Sequence, residues 1–287
     1  MNFFKIQLAK LKVFIHFLFA RKGLYRFSFA ELSLYYQERY KITYSELVHT
    51  ANSFKDLDLI EIEGKRIYWP SSMAVNALPW LYREVFSPWA SNPSSYDHPA
   101  MNMQSRDWVI DAGACEGFFS CFAFEKGAKR LIAVEPMPST GRALLKTFEN
   151  IRVGQSFELV EGGLGAECGV AFLDFDPLKA CESNIVSRGK GESVEVLTLD
   201  KISEEYFLGL NGMIKMDIEG AEMSALEGGK NLLREKKPAL AIAVYHGYDN
   251  AMRCRDIIMA ANPKYTVEFR GMYCWSLPAR PYLLFAW

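Results

Sequence analysis

The residues best equipped for chemistry crowd into one stretch, IKMDIEGAEMSALEGG, from Ile214 to Gly229. An apolar run enters it and leaves through Asp217, Glu219 and Glu222, with Gly220 between them. Carboxylates at such a place can accept protons, pair with cations or ligate a metal. Side chains alternate faces along a strand, so Lys215 and Asp217 share a face, joined by Glu219 if the extended run continues. An acid at a buried strand end costs free energy unless it is paired. Lys215 is the available partner, so a structural ion pair competes with a functional reading of Asp217. Glu222 falls in the first turn of the next helix, where negative charge suits the helix dipole, and reads as structural. His246 ends a later apolar run in AVYHGYDN, and an imidazole ordinarily titrates near neutrality. Asp217, Glu219 and His246 are thus the candidate catalytic residues, with His246 and Glu219 ranked above Asp217 as proton acceptor. Arg270 and Tyr245 are equally readable as substrate contacts or scaffold, and His16, His49 and His98 join no constellation. The acidic cluster could take a divalent cation, but nothing in the sequence demands one, so no metal is expected.

A second constellation lies upstream. VIDAGACEGFF runs from a strand straight into a helix in the pattern D-x-G-x-x-x-G, with Asp111, Gly113 and Gly117 at the fixed positions. Gly113 permits a tight turn, and Gly117 allows the helix to approach a ligand closely. Cys115 and Phe118 stand where the dinucleotide-binding G-x-G-x-x-G pattern would have glycines. An acid before the turn disfavours a pyrophosphate and suits a ligand carrying an ammonium group. Glu135 ends the next strand, where a carboxylate can accept both hydroxyls of a ribose. The two acids and the turn together fit S-adenosylmethionine, with its amino-acid part at the first loop and its ribose at Glu135. The adenine is expected beside VEGGLG, Val160 to Gly165, with Glu161 as its candidate contact. Asp217 is also a candidate for orienting the amino group.

The elements that must position these groups follow from periodicity. From residue 107 onward, short apolar runs alternate with helical patterns, which predicts a doubly wound, mostly parallel α/β sheet with ligands at the carboxyl ends of its strands. YTVEFR and PYLLFAW close the chain without a helix between them, so one antiparallel strand is expected near the C-terminus. Ser87–Ser105, rich in Pro, Ser and Asn, is the best boundary. It separates a mainly helical N-terminal extension with a small hairpin, residues 1–100, from a catalytic domain, residues 101–287. Within the extension, residues 28–60 read as helical from two capping-box spacings.

The segments VIDAGACEGFFS, AVEPMP, VLTLDKI, IKMDIEGAEMSALEGG and AVYHGYDNAMRCRDIIMAANPKYTVEFRG occur in this order. Together they resemble the FkbM family of S-adenosylmethionine-dependent methyltransferases over about residues 107–287. The resemblance implies a Rossmann-like class I methyltransferase sheet and O-methylation of a hydroxyl on a sugar, glycan or natural product. The competing readings are an NAD-dependent oxidoreductase, disfavoured by the missing glycines, and a binding protein that retains the donor fold without turnover.

Composition sets outer bounds. The chain has 287 residues, half of them hydrophobic, and a formal net charge of −1, so no global charge draws it to nucleic acid. Its six cysteines lack C-x-x-C spacing and read as reduced packing residues of a cytoplasmic protein. FKIQLAKLKVFIHFLFARKGLYRF, residues 4–27, is basic, and its apolar run is too short to span a bilayer. It is expected to be a helix packed on the body, with peripheral contact to an anionic membrane through residues 4–26 as the second reading.

Overall fold

A computed structural model describes residues 3–19, 28–36, 49–92, 94–174, 184–186, 192–273 and 280–287. Its centre is a seven-stranded sheet. The strands are β1 (Trp108–Ala112), β2 (Arg130–Glu135), β3 (Ser156–Glu161), β4 (Gly212–Met216), β5 (Ala239–Ala243), β6 (Val267–Tyr273) and β7 (Arg280–Ala286). Their spatial order is β3-β2-β1-β4-β5-β7-β6. All pairings from β3 to β5 are parallel, while β7 runs antiparallel to both β5 and β6. The single reversed strand expected from the helix-free C-terminal pair is therefore present.

Every residue of β1, β4 and β5 is buried, because separate apolar clusters cover the two faces of the sheet. This explains why those strands read as unbroken apolar runs rather than as alternating patterns. Four helices matter for the site: α1 (Phe118–Glu125), α2 (Pro138–Thr147), α3 (Glu222–Glu227) and α4 (Asn250–Ala261). The helical stretch after β4 is divided at Gly228 and Gly229 into α3 and a separate helix Lys230–Glu235.

The strand order reverses between β1 and β4, whose carboxyl ends lie side by side in register, Lys215 opposite Asp111 and Met216 opposite Ala112. Such a switch point leaves a crevice at the carboxyl ends of the strands.

Outside the sheet, the hairpin Leu57–Ile62 with Lys65–Pro70 forms as expected. The helical reading of residues 28–60 holds only for Phe29–Tyr36, and residues 37–48 lie outside the described set. His49–Phe54 is a strand paired antiparallel with Leu57–Ile62, so cross-strand pairing overrides local helix signals there. Helix Phe3–Phe19 buries Val13 and leaves Leu8, Leu11, Ile15 and Leu18 exposed, while residues 20–26 lie outside the described set. Among the described residues no helix is long and apolar enough to cross a membrane.

Candidate functional site

The glycine turn and the acidic stretch meet at the switch point. Gly113 leaves β1 with φ +72°, and a Cβ built on it would stand 1.9 Å from the carbonyl oxygen of Asp217. Only glycine lets the turn lie flat against the end of β4. The backbone N–H of Asp217 donates to the carbonyl of Ala112 at 3.1 Å, which continues the register past the strand ends. Gly117, φ +83°, opens α1 and packs so closely on α2 that a Cβ would lie 2.8 Å from Leu144 Cδ2.

Asp111 stands at the end of β1, before the turn, but its carboxylate is engaged inside the protein. It is fully buried, with Oδ1 accepting from Lys215 Nζ at 3.0 Å and Oδ2 from Ser120 Oγ at 2.7 Å. No surface of this carboxylate is left for the ammonium group of a ligand. Lys215 also donates to the carbonyl of Gly113 at 2.8 Å, so the pair braces the turn from behind. Burial opposes the charge on Lys215, but Asp111 and Asp217 outweigh it and raise its pKa. Lys215 was one possible partner for Asp217; its hydrogen bonds go to Asp111 and the turn instead.

Glu135 ends β2 and is also buried. Its Oε1 accepts from the N–H of Met137 at 3.0 Å and from Thr140 Oγ1 at 2.8 Å. Its Oε2 accepts one bond, from the N–H of Cys115 at 2.9 Å. A carboxylate oxygen has capacity for a second donor, so Oε2 can still receive a hydroxyl. Glu161 ends β3, pairs in register with Glu135, and is exposed.

Asp217, Glu219 and His246 come together, with ligand-capable atoms of all three within 4.8 Å of one another. His246 Nε2 lies 3.5 Å from Asp217 Oδ1 and 3.3 Å from Glu219 Oε2. On the other side of the ring, Nδ1 lies 3.1 Å from Glu222 Oε1. These contacts are close in distance but poor in angle, since neither ring nitrogen makes an aligned hydrogen bond. Burial pulls the imidazole down, but contacts with Glu219, Glu222 and Asp217 outweigh it and carry His246 up to about 10. The three carboxylates around the unliganded ring thus favour its protonated form. Asp217 is pushed up to about 6 by burial, with His246 and Lys215 drawing it back.

Glu219 has φ +54°, in the left-handed region, and Gly220 follows at φ +101°. A non-glycine residue there costs on the order of 1 kcal/mol or more. The bend turns the chain so that the Glu219 carboxylate faces His246 from the next strand end. Glu222 is fully buried, and its Oε1 accepts from the N–H groups of Ile218 at 3.1 Å and Gly220 at 3.2 Å. It thus shapes the bend as well as backing His246.

Several groups at the site carried no signal in the local sequence. Tyr96 donates from its hydroxyl to Asp217 Oδ2 at 3.2 Å, from a loop far upstream. Glu84, on the helix Leu78–Phe86, accepts from the Tyr282 hydroxyl. Burial pushes Glu84 up to about 7, its bond to Tyr282 opposes this, and Asp217 and Glu116 add to the rise. Glu116 is likewise pushed up by burial to about 7. Tyr245 stacks on Tyr273 with ring centroids 4.8 Å apart, and Arg270 donates to the carbonyls of Trp89 and Asn92, so Arg270 ties the upstream loop to β6. His98 is buried against Phe285.

Methyltransferase sdnD of Sordaria araneosa is 24% identical over 200 residues, which cover 58% of this chain and 74% of that protein. The crystal structure of an FkbM methyltransferase from Methylobacillus flagellatus superposes with a TM-score of 0.50 at 21% identity, over 76% of this chain. This chain spans only 56% of that structure's length. Residues 111–262 match the family profile described as the methyltransferase FkbM domain. Because that match runs from Asp111 at the glycine turn to the end of α4, and takes in more than half of the chain, the chain belongs to the FkbM methyltransferase family.

Proposed function

We propose that the protein is an S-adenosylmethionine-dependent O-methyltransferase acting on a hydroxyl of a sugar, glycan or other natural product. The observation that carries this reading is the contact between Gly113 and Asp217, which joins a donor-type glycine turn to a cluster of proton-handling groups. The residues present fit the donor in part. Glu135 Oε2 keeps capacity for a ribose hydroxyl, and the turn from Gly113 to Gly117 can be filled by glycine alone at both ends. The ammonium group falls to an acid other than Asp111, with Asp217 at the strand end and the buried Glu116 on the turn itself as the candidates.

When bound, the donor would supply an electrophilic sulfonium methyl, the electron pair of its C–S bond staying on sulfur as the acceptor oxygen takes the methyl. The acceptor hydroxyl must lose its proton during or before attack. Glu219 is our choice to take it. Its carboxylate is the most exposed of the three, at 26%, and its strained backbone aims it into the crevice. Asp217 and His246 flank the place where the acceptor oxygen arrives, and Tyr96 fixes the Asp217 carboxylate by binding one of its oxygens. Glu161 is kept as the adenine contact.

The test is a donor-dependent mass shift of 14 Da in metabolite extracts, a CH2 increment, with label from a methyl-deuterated donor retained on oxygen. No donor-dependent product, together with no calorimetric binding of S-adenosylhomocysteine, would rule the reading out.

A further inference from the structure

We infer that Asp217, Glu219 and His246 form a binding site for a divalent cation of the manganese, iron or zinc type, held at the point where the acceptor oxygen arrives. The role for the acceptor rests on the methyl-transfer reading; the binding of the cation does not.

The separations suit a single ion. Ligand atoms about 2.1 Å from a cation lie about 3.0 Å apart at right angles and about 3.4 Å apart at the tetrahedral angle. His246 Nε2 is 3.5 Å from Asp217 Oδ1 and 3.3 Å from Glu219 Oε2. Two of these three atoms are buried without an aligned hydrogen bond: Asp217 Oδ1 and His246 Nε2 face each other at 3.5 Å at poor angle, as His246 Nδ1 faces Glu222. The His246 side chain is only 10% exposed, so water does not readily satisfy it. A buried polar atom without a partner is costly, and a cation ligated by both would remove that cost.

The groups behind the ligands are arranged as a metal site requires. A ligating histidine nearly always presents its other ring nitrogen to a carboxylate, a backbone carbonyl or water, which fixes the tautomer and orients the ring. His246 Nδ1 faces Glu222 Oε1 at 3.1 Å, and that oxygen is itself held by the N–H groups of Ile218 and Gly220. Tyr96 occupies Asp217 Oδ2, which leaves Oδ1 for the ion. The nearest lysine, Lys215, is committed to Asp111 and the carbonyls of the turn.

The three ligands leave coordination positions open on the side where Asp217 and Glu219 are partly exposed, at 21% and 26%. Sites with open positions are catalytic rather than structural in type. An acceptor hydroxyl bound there would become more acidic, and its proton would pass to the Glu219 carboxylate oxygen that is not on the ion. Two carboxylates and one imidazole favour manganese, iron or zinc over calcium, which takes oxygen alone.

The experiment strips the full chain with EDTA and then titrates it with Mn2+, reading free ion by electron paramagnetic resonance. Wild type should bind one Mn2+ per chain saturably, and Glu219→Gln and His246→Ala should each weaken binding at least about tenfold. Circular dichroism checks the fold of both variants, and Glu219→Gln alone decides if His246→Ala does not fold. Absence of saturable binding in wild type, or Mn2+ affinity unchanged in the folded variants, would overturn the inference. A parallel titration with S-adenosylhomocysteine in EDTA separates the two claims. Donor binding without Mn2+ binding sinks only the cation site, and Mn2+ binding without donor binding sinks only the donor.

Discussion

Lys215 reaches across to Asp111, 3.0 Å away on the neighbouring strand, although Asp217 is the acid next to it on its own face. Both members of the pair are almost wholly buried. Removing one member of a buried ion pair strands the other, at a cost of about 3–5 kcal/mol. Lys215→Met is therefore expected to lower unfolding free energy by about that amount, and Asp111→Asn by somewhat less, because Asn can still bond Ser120. Urea denaturation checks both. A loss below about 1 kcal/mol for Lys215→Met would mean that the pair does not brace the turn.

Gly113→Ala forces a methyl group into the carbonyl of Asp217 and a side chain into left-handed backbone. Neither partner can yield without moving a strand end. The variant should lose at least about 1–3 kcal/mol of stability and most of its affinity for the donor. Calorimetry with S-adenosylhomocysteine on the folded fraction reads the second effect. An affinity within threefold of wild type would separate the turn from the donor site.

Much of the fold was legible because parallel strands covered on both faces must be apolar throughout, and runs such as DWVIDA, GMIKMD and ALAIAVYH announce them. The reversed β7 was legible because no helix separates it from β6. What escaped was information held in register and in distant chain. Nothing local says that Lys215 stands opposite Asp111 rather than serving Asp217; only the β1–β4 register does. Asp217, Glu219 and His246 were readable as a group because each ends or follows an apolar run at the same edge of the sheet. Tyr96 and Glu84 were not, because they come from the segment before β1, where no spacing ties them to the later strands. His49–Phe54 was misread because its strand character comes from its partner rather than from its own residues.

Glu84 gives a pH signature. Burial pushes its carboxyl from the ordinary 4.5 up to about 7 in the folded protein. Over that window the folded state keeps a proton that the unfolded state has lost, so stability falls as pH rises and levels off above about 7. The full contribution is on the order of 3 kcal/mol, with Glu116 acting in the same direction. Glu84→Gln keeps an acceptor for Tyr282 and cannot ionise. Urea midpoints at pH 5 and pH 8 should show the variant gaining on wild type by about 2–3 kcal/mol across the interval. An unchanged difference would show that Glu84 is ionised in the folded chain.

Glu219→Gln tests the proton acceptor once an acceptor molecule is in hand. Loss of a general base lowers turnover by about 10²–10⁴-fold. Affinity for S-adenosylhomocysteine should stay within about threefold of wild type, since Glu219 stands on the acceptor side. Turnover within threefold of wild type would move the role elsewhere in the cluster.

The most direct measurement is calorimetric titration of the full chain with S-adenosylhomocysteine, beside the same titration of Glu135→Ala. One site per chain with micromolar affinity is expected for wild type, weakened at least about tenfold in the variant by loss of a charged acceptor. No heat of binding at millimolar ligand, or equal affinity in the two proteins, would contradict a donor seated between the glycine turn and Glu135.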